Sequence, residues 1–243
     1  MAHPDDAEIL CGGTLLKLAA LGHKISIVTM SLGECGSRSL SDVEIVKIRE
    51  SEAQAAAKFL GGRFFSIRER DLEIYVSLDT IGKVTTLLRK LKPDVIITHH
   101  PKDYQLDHIN TSTIVQAACF QSTIPNVRLV DKAEPLNAIP VLYHSMPVGC
   151  TDLYGEVIRP SIFVDITDFL NSKKDLLAIH KSQFEWLKKQ HGINDYLESL
   201  DKWGKCYGDM VGVKFAEGFI QQVGHPFPTT DLLNSISFHK EGV

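Results

Sequence analysis

The chain has 243 residues, 44% of them hydrophobic and 23% charged, a balance that supplies a core for one domain and excludes a disulfide-stapled miniprotein. With 26 Lys and Arg against 30 Asp and Glu, the formal charge of −4 lacks the basic excess that phosphate-backbone binding needs, which argues against a nucleic-acid partner. The five cysteines, Cys11, Cys35, Cys119, Cys150 and Cys206, are scattered with no C-x-x-C pair and read as reduced thiols, neither a disulfide framework nor a metal site. No apolar run approaches the ~20 residues of a membrane span. The chain opens on polar Met1-Ala2-His3-Pro4-Asp5-Asp6 rather than a secretory signal, so a cytoplasmic location and no membrane are expected.

Cys11, Leu15, Leu18 and Ala19 keep the spacing of an amphipathic helix, which Gly22 stops, and residues 25–30 follow as a short apolar strand. Ser41-Asp42-Val43-Glu44 has capping-box form and opens a helix running to Leu60, closed by Gly61 and Gly62. Ile81, Val84, Leu88 and Leu91 set a further helix, which Pro93 ends. Val95-Ile96-Ile97-Thr98 is then apolar on both faces, as a strand in a parallel sheet should be. Beyond residue 120, Pro125, Pro135, Pro140, Pro147 and Pro160 punctuate short apolar runs, Val141-Leu142-Tyr143 and Ile162-Phe163-Val164, that read as strands among loops.

From Thr167 a long helical tract carries Leu176, Leu177, His180, Phe184 and Leu187 on one stripe; a second helix is expected over residues 196–205, and the tail after Gly224 is irregular. The alternation predicts an α/β fold: a Rossmann-like three-layer sandwich with a mostly parallel sheet plus C-terminal helices, in a single domain spanning residues 1–243. In such a fold ligands gather beyond the carboxyl ends of the strands.

Two segments concentrate His and Asp at those ends. They are His3-Pro4-Asp5-Asp6, ahead of the first helix, and His100-Pro101-Lys102-Asp103-Tyr104-Gln105-Leu106-Asp107-His108, after the strand ending at Thr98. His3 and Asp6 from one loop and His108 from the other offer three N/O ligands and leave a fourth position for water, the layout of a catalytic zinc. Such a site lowers the pKa of its water toward ~7, and a carboxylate outside the ligand set can take the proton. Asp5 is placed for that role, and Asp107 for orienting an imidazole or shaping the local charge.

Plainer readings compete. Asp5 with Glu8 has capping-box spacing, and Asp107-His108 can simply start a helix. Arg49 can pair with Glu52 on a helix surface. His180 fits a core histidine, and His99 and His100 fit residues that only hydrogen-bond their loop. His23, His191 and His239 stand in polar stretches and receive no role, and Gly12-Gly13 reads as close helix packing, since no phosphate-loop pattern surrounds it.

At these residues the sequence resembles the PIG-L/LmbE-like family of zinc-dependent N-deacetylases, which act mainly on N-acetylglucosamine-containing molecules. The matching elements are A-H-P-D-D-A-E-I-L-C-G-G-T over residues 2–14, Gly33-Glu34, Arg49-Glu50-Ser51-Glu52-Ala53, the His100 to His108 segment, His180-Lys181-Ser182-Gln183 and Ala216-Glu217-Gly218-Phe219. The resemblance implies His3, Asp6 and His108 as metal ligands, Asp5 as general base, Arg49 as a contact to sugar hydroxyls, and a homo-oligomer acting on a small amino-sugar substrate. Zinc is the implied metal, with Fe2+, Mn2+ or Co2+ compatible with the same ligands.

Two departures stand out. Where many relatives carry a His three residues before the final His, this chain has Gln105, which donates a hydrogen bond but supplies no proton. Asp5, His144 or His225 is then left to protonate the leaving amine. Relatives also carry an apolar strand before H-P-D-D, where this chain has Met1 and Ala2, so a lost interior strand and a fraying His3 are expected. The readings to separate are an N-acetyl-sugar deacetylase, an amide hydrolase acting on a non-sugar N-acyl substrate, and a metal- or ligand-binding relative whose turnover has lapsed. A two-metal phosphoesterase would need more ligands than these segments provide.

Overall fold

A computed structural model of the chain describes residues 1–184 and 196–233. The sequence positions Leu187, His191 and His239 lie outside the described residues. Strands and helices follow in the order α1 (Asp6–Ala20), β1 (Ser26–Thr29), α2 (Asp42–Phe59), β2 (Arg63–Ser66), α3 (Leu78–Leu91), β3 (Val95–Thr98), α4 (Leu106–Gln121), β4 (Val141–Ser145), β5 (Ile162–Asp165), α5 (Leu170–Leu177), α6 (Tyr196–Val211) and β6 (Ala216–Gln221). The expected α/β alternation is present. Ser41 and Glu44 form the full reciprocal capping box of α2, and β3 has the bounds its β-branched run predicts.

Gly12 and Gly13 do serve close packing: a Cβ on Gly13 would lie 2.7 Å from Ile166. Two strands were not anticipated, β2 and β6. The long tract expected from Thr167 is also cut at Leu177, because the chain leaves α5 there and turns His180 inward toward Glu8, 3.2 Å away.

The expectation of one mostly parallel sheet needs correction. β1 and β2 pair in parallel as one sheet; the second has the order β3-β4-β6-β5, parallel between β3 and β4 and antiparallel on both sides of β6. β6 therefore enters between β4 and β5 against their common direction. It is anchored there by Glu217, whose carboxylate accepts the N–H groups of Gly13 and Thr14 and the Lys173 ammonium. Side chains alternate across β4: Val141 and Tyr143 join an apolar cluster with α1 and α5, while Leu142 joins one with α3 and α4. Helices thus cover both faces.

Met1 and Ala2 lie where the two sheets approach each other. Their carbonyls accept the N–H groups of Met30 and Ser31, both at 2.9 Å, just past β1, and the Ala2 N–H donates to His99 Nε2, just past β3. The expected fraying at His3 does not occur; the residue is buried. The H-P-D-D turn is thereby pinned at the carboxyl ends of β1 and β3.

Candidate metal centre

Asp5 takes a left-handed backbone conformation, φ 100°, and its side chain makes no capping hydrogen bond. That conformation costs a non-glycine residue about 1–2 kcal/mol and persists only where surroundings impose it. Arg49 does so: one guanidinium nitrogen donates to the Pro4 carbonyl at 2.7 Å and lies 3.6 Å from Asp5 Oδ1, while the other donates to the Gly33 carbonyl. The capping-box reading of Asp5 and Glu8 fails, since Glu8 is buried against His180. The surface pair of Arg49 with Glu52 fails as well. Arg49 is buried, and Glu52 accepts the backbone N–H and hydroxyl of Ser182. Gly33 is required at its place, because at φ +70° a Cβ would come within 2.0 Å of the guanidinium.

The two loops meet. His3 Nδ1 lies 3.5 Å from Asp6 Oδ2, and His108 Nε2 lies 3.5 Å from Asp6 Oδ1. Ligand atoms of His3, Asp6 and His108 all fall within 4.8 Å of one another. Ligands at tetrahedral zinc distances are separated by about 3.3 Å, so these spacings suit a shared cation better than direct hydrogen bonds. The remaining ring nitrogens face carboxylates: His108 Nδ1 lies 3.0 Å from Asp103 Oδ1, and His3 Nε2 lies 3.0 Å from Asp71 Oδ1 and 3.2 Å from Asp107 Oδ2. Carboxylates on the outer nitrogens fix which nitrogen points inward. Two other His/Asp groupings, His99 with Asp103 and His108, and His3 with Asp71 and Asp107, share their histidines with the first.

The electrostatics favour a cation. Asp5, Asp6, Asp71, Asp103 and Asp107 are all buried, with Arg49 the buried guanidinium beside them, and uncompensated carboxylates are costly to bury. Burial pulls the His3 imidazole down, yet Asp107, Asp6 and Asp71 outweigh it and hold the ring well above its ordinary value. Burial pushes Asp6 up, but His108, His99 and His3 overcome this and hold it well below the carboxylate range. Asp5 goes the other way. Burial, aided by the neighbouring Asp6 charge and opposed by Arg49, raises it to about 6.

The other histidines separate cleanly. His99 stacks on His108 with ring centroids 3.9 Å apart, and burial, reinforced by His108, lowers it to about 3, leaving a neutral acceptor for Ala2. His100 accepts the Lys102 N–H and holds its loop. His144 places Nδ1 2.8 Å from the His99 carbonyl and Nε2 3.1 Å from Gln222, and His225 is exposed beyond β6. Gln105 precedes α4 without a side-chain cap bond. Sequence reasoning assigned no role to Asp71 or Asp103. Asp103 lay inside the second segment, whereas nothing near Arg70-Asp71-Leu72 signals a partner so distant in the chain.

Fold and crevice define an α/β protein with a His/Asp centre suited to one divalent cation at the strand ends. The profile of the family described as PIG-L, GlcNAc-PI de-N-acetylase, matches residues 1–119. A deacetylase of Escherichia coli, YaiS, described as uncharacterized, is 31% identical over 133 residues, covering 52% of this chain and 68% of that one. The diacetylchitobiose deacetylase of Thermococcus kodakarensis is 26% identical over 226 residues, covering 89% of this chain and 79% of its own. The solved structure of N,N'-diacetylchitobiose deacetylase from Pyrococcus horikoshii, complexed with an inhibitor, superposes with a TM-score of 0.77 at 29% identity, covering 95% of this chain and 85% of that one. The chain belongs to the PIG-L (LmbE-like) deacetylase family.

Proposed function

We propose that this protein is a zinc-dependent hydrolase that removes the N-acetyl group from an N-acetylglucosamine-type sugar or glycoconjugate, releasing acetate and a free amine. The observation that carries the reading is the convergence of His3 Nδ1, the Asp6 carboxylate and His108 Nε2 beside an uncapped Asp5. The relatives named above as diacetylchitobiose deacetylases supply the substrate class. Bound at His3, Asp6 and His108, zinc supplies a Lewis acid for the amide carbonyl and lowers the pKa of water; Fe2+, Mn2+ or Co2+ could replace it.

Asp5 Oδ accepts the proton of the attacking water. Held near pH 6 by burial, it suits both taking up that proton and returning it to the leaving amine. This second task falls to Asp5 because Gln105 has no proton to give and His144 is engaged with the His99 carbonyl and Gln222. Asp107 orients the His3 ring. Arg49 holds the turn through its outer nitrogens, and the family resemblance supplies its further role as a contact to sugar hydroxyls.

Helices on both faces support reading the fold as a Rossmann-like sandwich, with residues 1–243 taken as one domain. A cytoplasmic location belongs to this reading, supported by five scattered cysteines with no C-x-x-C spacing. Among the described residues no helix is long and apolar enough to cross a membrane. The family resemblance supplies a homo-oligomer.

The test is acetate and amine release from a panel of N-acetyl sugars, N,N'-diacetylchitobiose among them, and N-acyl amino acids, with zinc content measured in parallel. Release from the sugars is expected. Release from the amino acids alone would overturn the substrate class, and stoichiometric zinc with no release across the panel would make the protein a binding relative.

A further inference from the structure

We infer that Asp71, in the loop between β2 and α3, is a positioning residue that fixes the His3 imidazole for cation binding. This rests on the metal reading above and adds a residue from outside both His/Asp segments. Turning Nδ1 inward requires something to grip Nε2, and that grip comes from elsewhere in the chain. Asp71 Oδ1 lies 3.0 Å from Nε2, and Asp71 Oδ2 accepts the Cys35 N–H at 3.1 Å, so the carboxylate is itself held from the loop after β1.

The next residue completes the arrangement. The Leu72 N–H donates to Asp107 Oδ2 at 2.9 Å, and that same oxygen lies 3.2 Å from His3 Nε2. Leu72 has φ 64°, a region side chains normally avoid, while its own side chain is 60% exposed. Burial of the leucine therefore does not explain the strained conformation. Turning its N–H toward Asp107 while Asp71 faces His3 does. One dipeptide thus ties the ligand turn to the loop after β1 and to the first turn of α4.

With Nδ1 given to the cation, His3 has a single Nε2–H, and two anionic acceptors around it fix the tautomer and make the ring a stronger donor. Asp107 is adjacent to His108, so its replacement disturbs two ligands together. Asp71 touches His3 alone among the three ligands, which makes it the cleaner probe.

The experiment titrates metal-free wild type, Asp71→Ala and Asp71→Asn with Zn2+ against a competing chelator, records the visible spectrum of the Co2+ forms, and measures the thermal melting of each metal-free protein. Asp71→Ala is expected to bind Zn2+ about 10- to 100-fold more weakly, with a changed Co2+ spectrum. Asp71→Asn should fall between, since the amide oxygen still accepts Nε2–H without the charge. If the alanine variant melts too low to titrate, the asparagine variant carries the test. Wild-type affinity in both variants, or in the asparagine variant where it alone can be titrated, overturns the inference while leaving the metal centre intact. A wild type that takes up no Zn2+ overturns the metal reading and this inference with it.

Discussion

The crevice at the ends of β1 and β3 and the core around β4 are both buried but are built from opposite materials. Leu142, Tyr143 and Phe219 fill the core, while His99, Asp103, Asp107 and His108 fill the crevice, all of them buried. In the core, each square ångström of apolar surface removed from water stabilises the fold by about 25 cal/mol. In the crevice the same exclusion of water penalises every carboxylate, and imidazoles, backbone N–H donors, Arg49 and whatever cation enters offset it. Positive φ at Asp5 and Leu72 belongs to this second region. The comparison teaches that the polar region keeps its strained turns through its own ion pairs and hydrogen bonds, from Arg49 to Pro4 and Gly33 and from the Leu72 N–H to Asp107, separately from the apolar packing.

The comparison can be broken most forcefully at Asp5. Replacing it with Asn, which tolerates the left-handed backbone, should lower kcat by about 10²- to 10⁴-fold while zinc content stays at the wild-type level. Turnover close to wild type would show that the raised carboxylate is not the base. Stability should move the opposite way. The folded protein holds the Asp5 proton up to about 6, against an ordinary value of 3.8, so between those pH values it binds more protons than the unfolded chain. Metal-free stability therefore falls as pH rises through that window, and the Asn variant loses that contribution. Denaturant midpoints at pH 5 and pH 7 should show the variant gaining on wild type at the higher pH.

A change confined to the core should do the reverse. Leu142→Ala removes a fully buried side chain from the cluster with α3 and α4 and should cost about 2–5 kcal/mol in denaturant melts, leaving Zn2+ affinity within about twofold. A large loss of affinity in the folded variant would mean that the two regions are not separable.

Much of this was legible in the residues themselves. β3 reads clearly because all four of its residues are apolar or β-branched, and the start of α2 because Ser41 and Glu44 satisfy one another locally. β6 was not legible: Ala216, Glu217 and Gly218 are poor strand formers, and the strand is set by Glu217 meeting Gly13, Thr14 and Lys173, partners from distant parts of the chain. Its antiparallel insertion is thus a tertiary decision. In the site, His3, Asp6 and His108 announce themselves because His and Asp crowd two short segments at strand ends. Asp71 does not, since its pairing with His3 exists only once the loops after β1, β2 and β3 have come together. Arg49 looks like a surface residue of a charged helix until Gly33 and Pro4 present carbonyls to it.

That two segments distant in the chain, the His3–Asp6 turn and the start of α4, share one cation is tested by the zinc stoichiometry and affinity of His108→Ala beside wild type. The account predicts one equivalent of tightly held Zn2+ in the wild type and none retained through dialysis in a variant that still folds. A folded His108→Ala protein that keeps its full equivalent would contradict it.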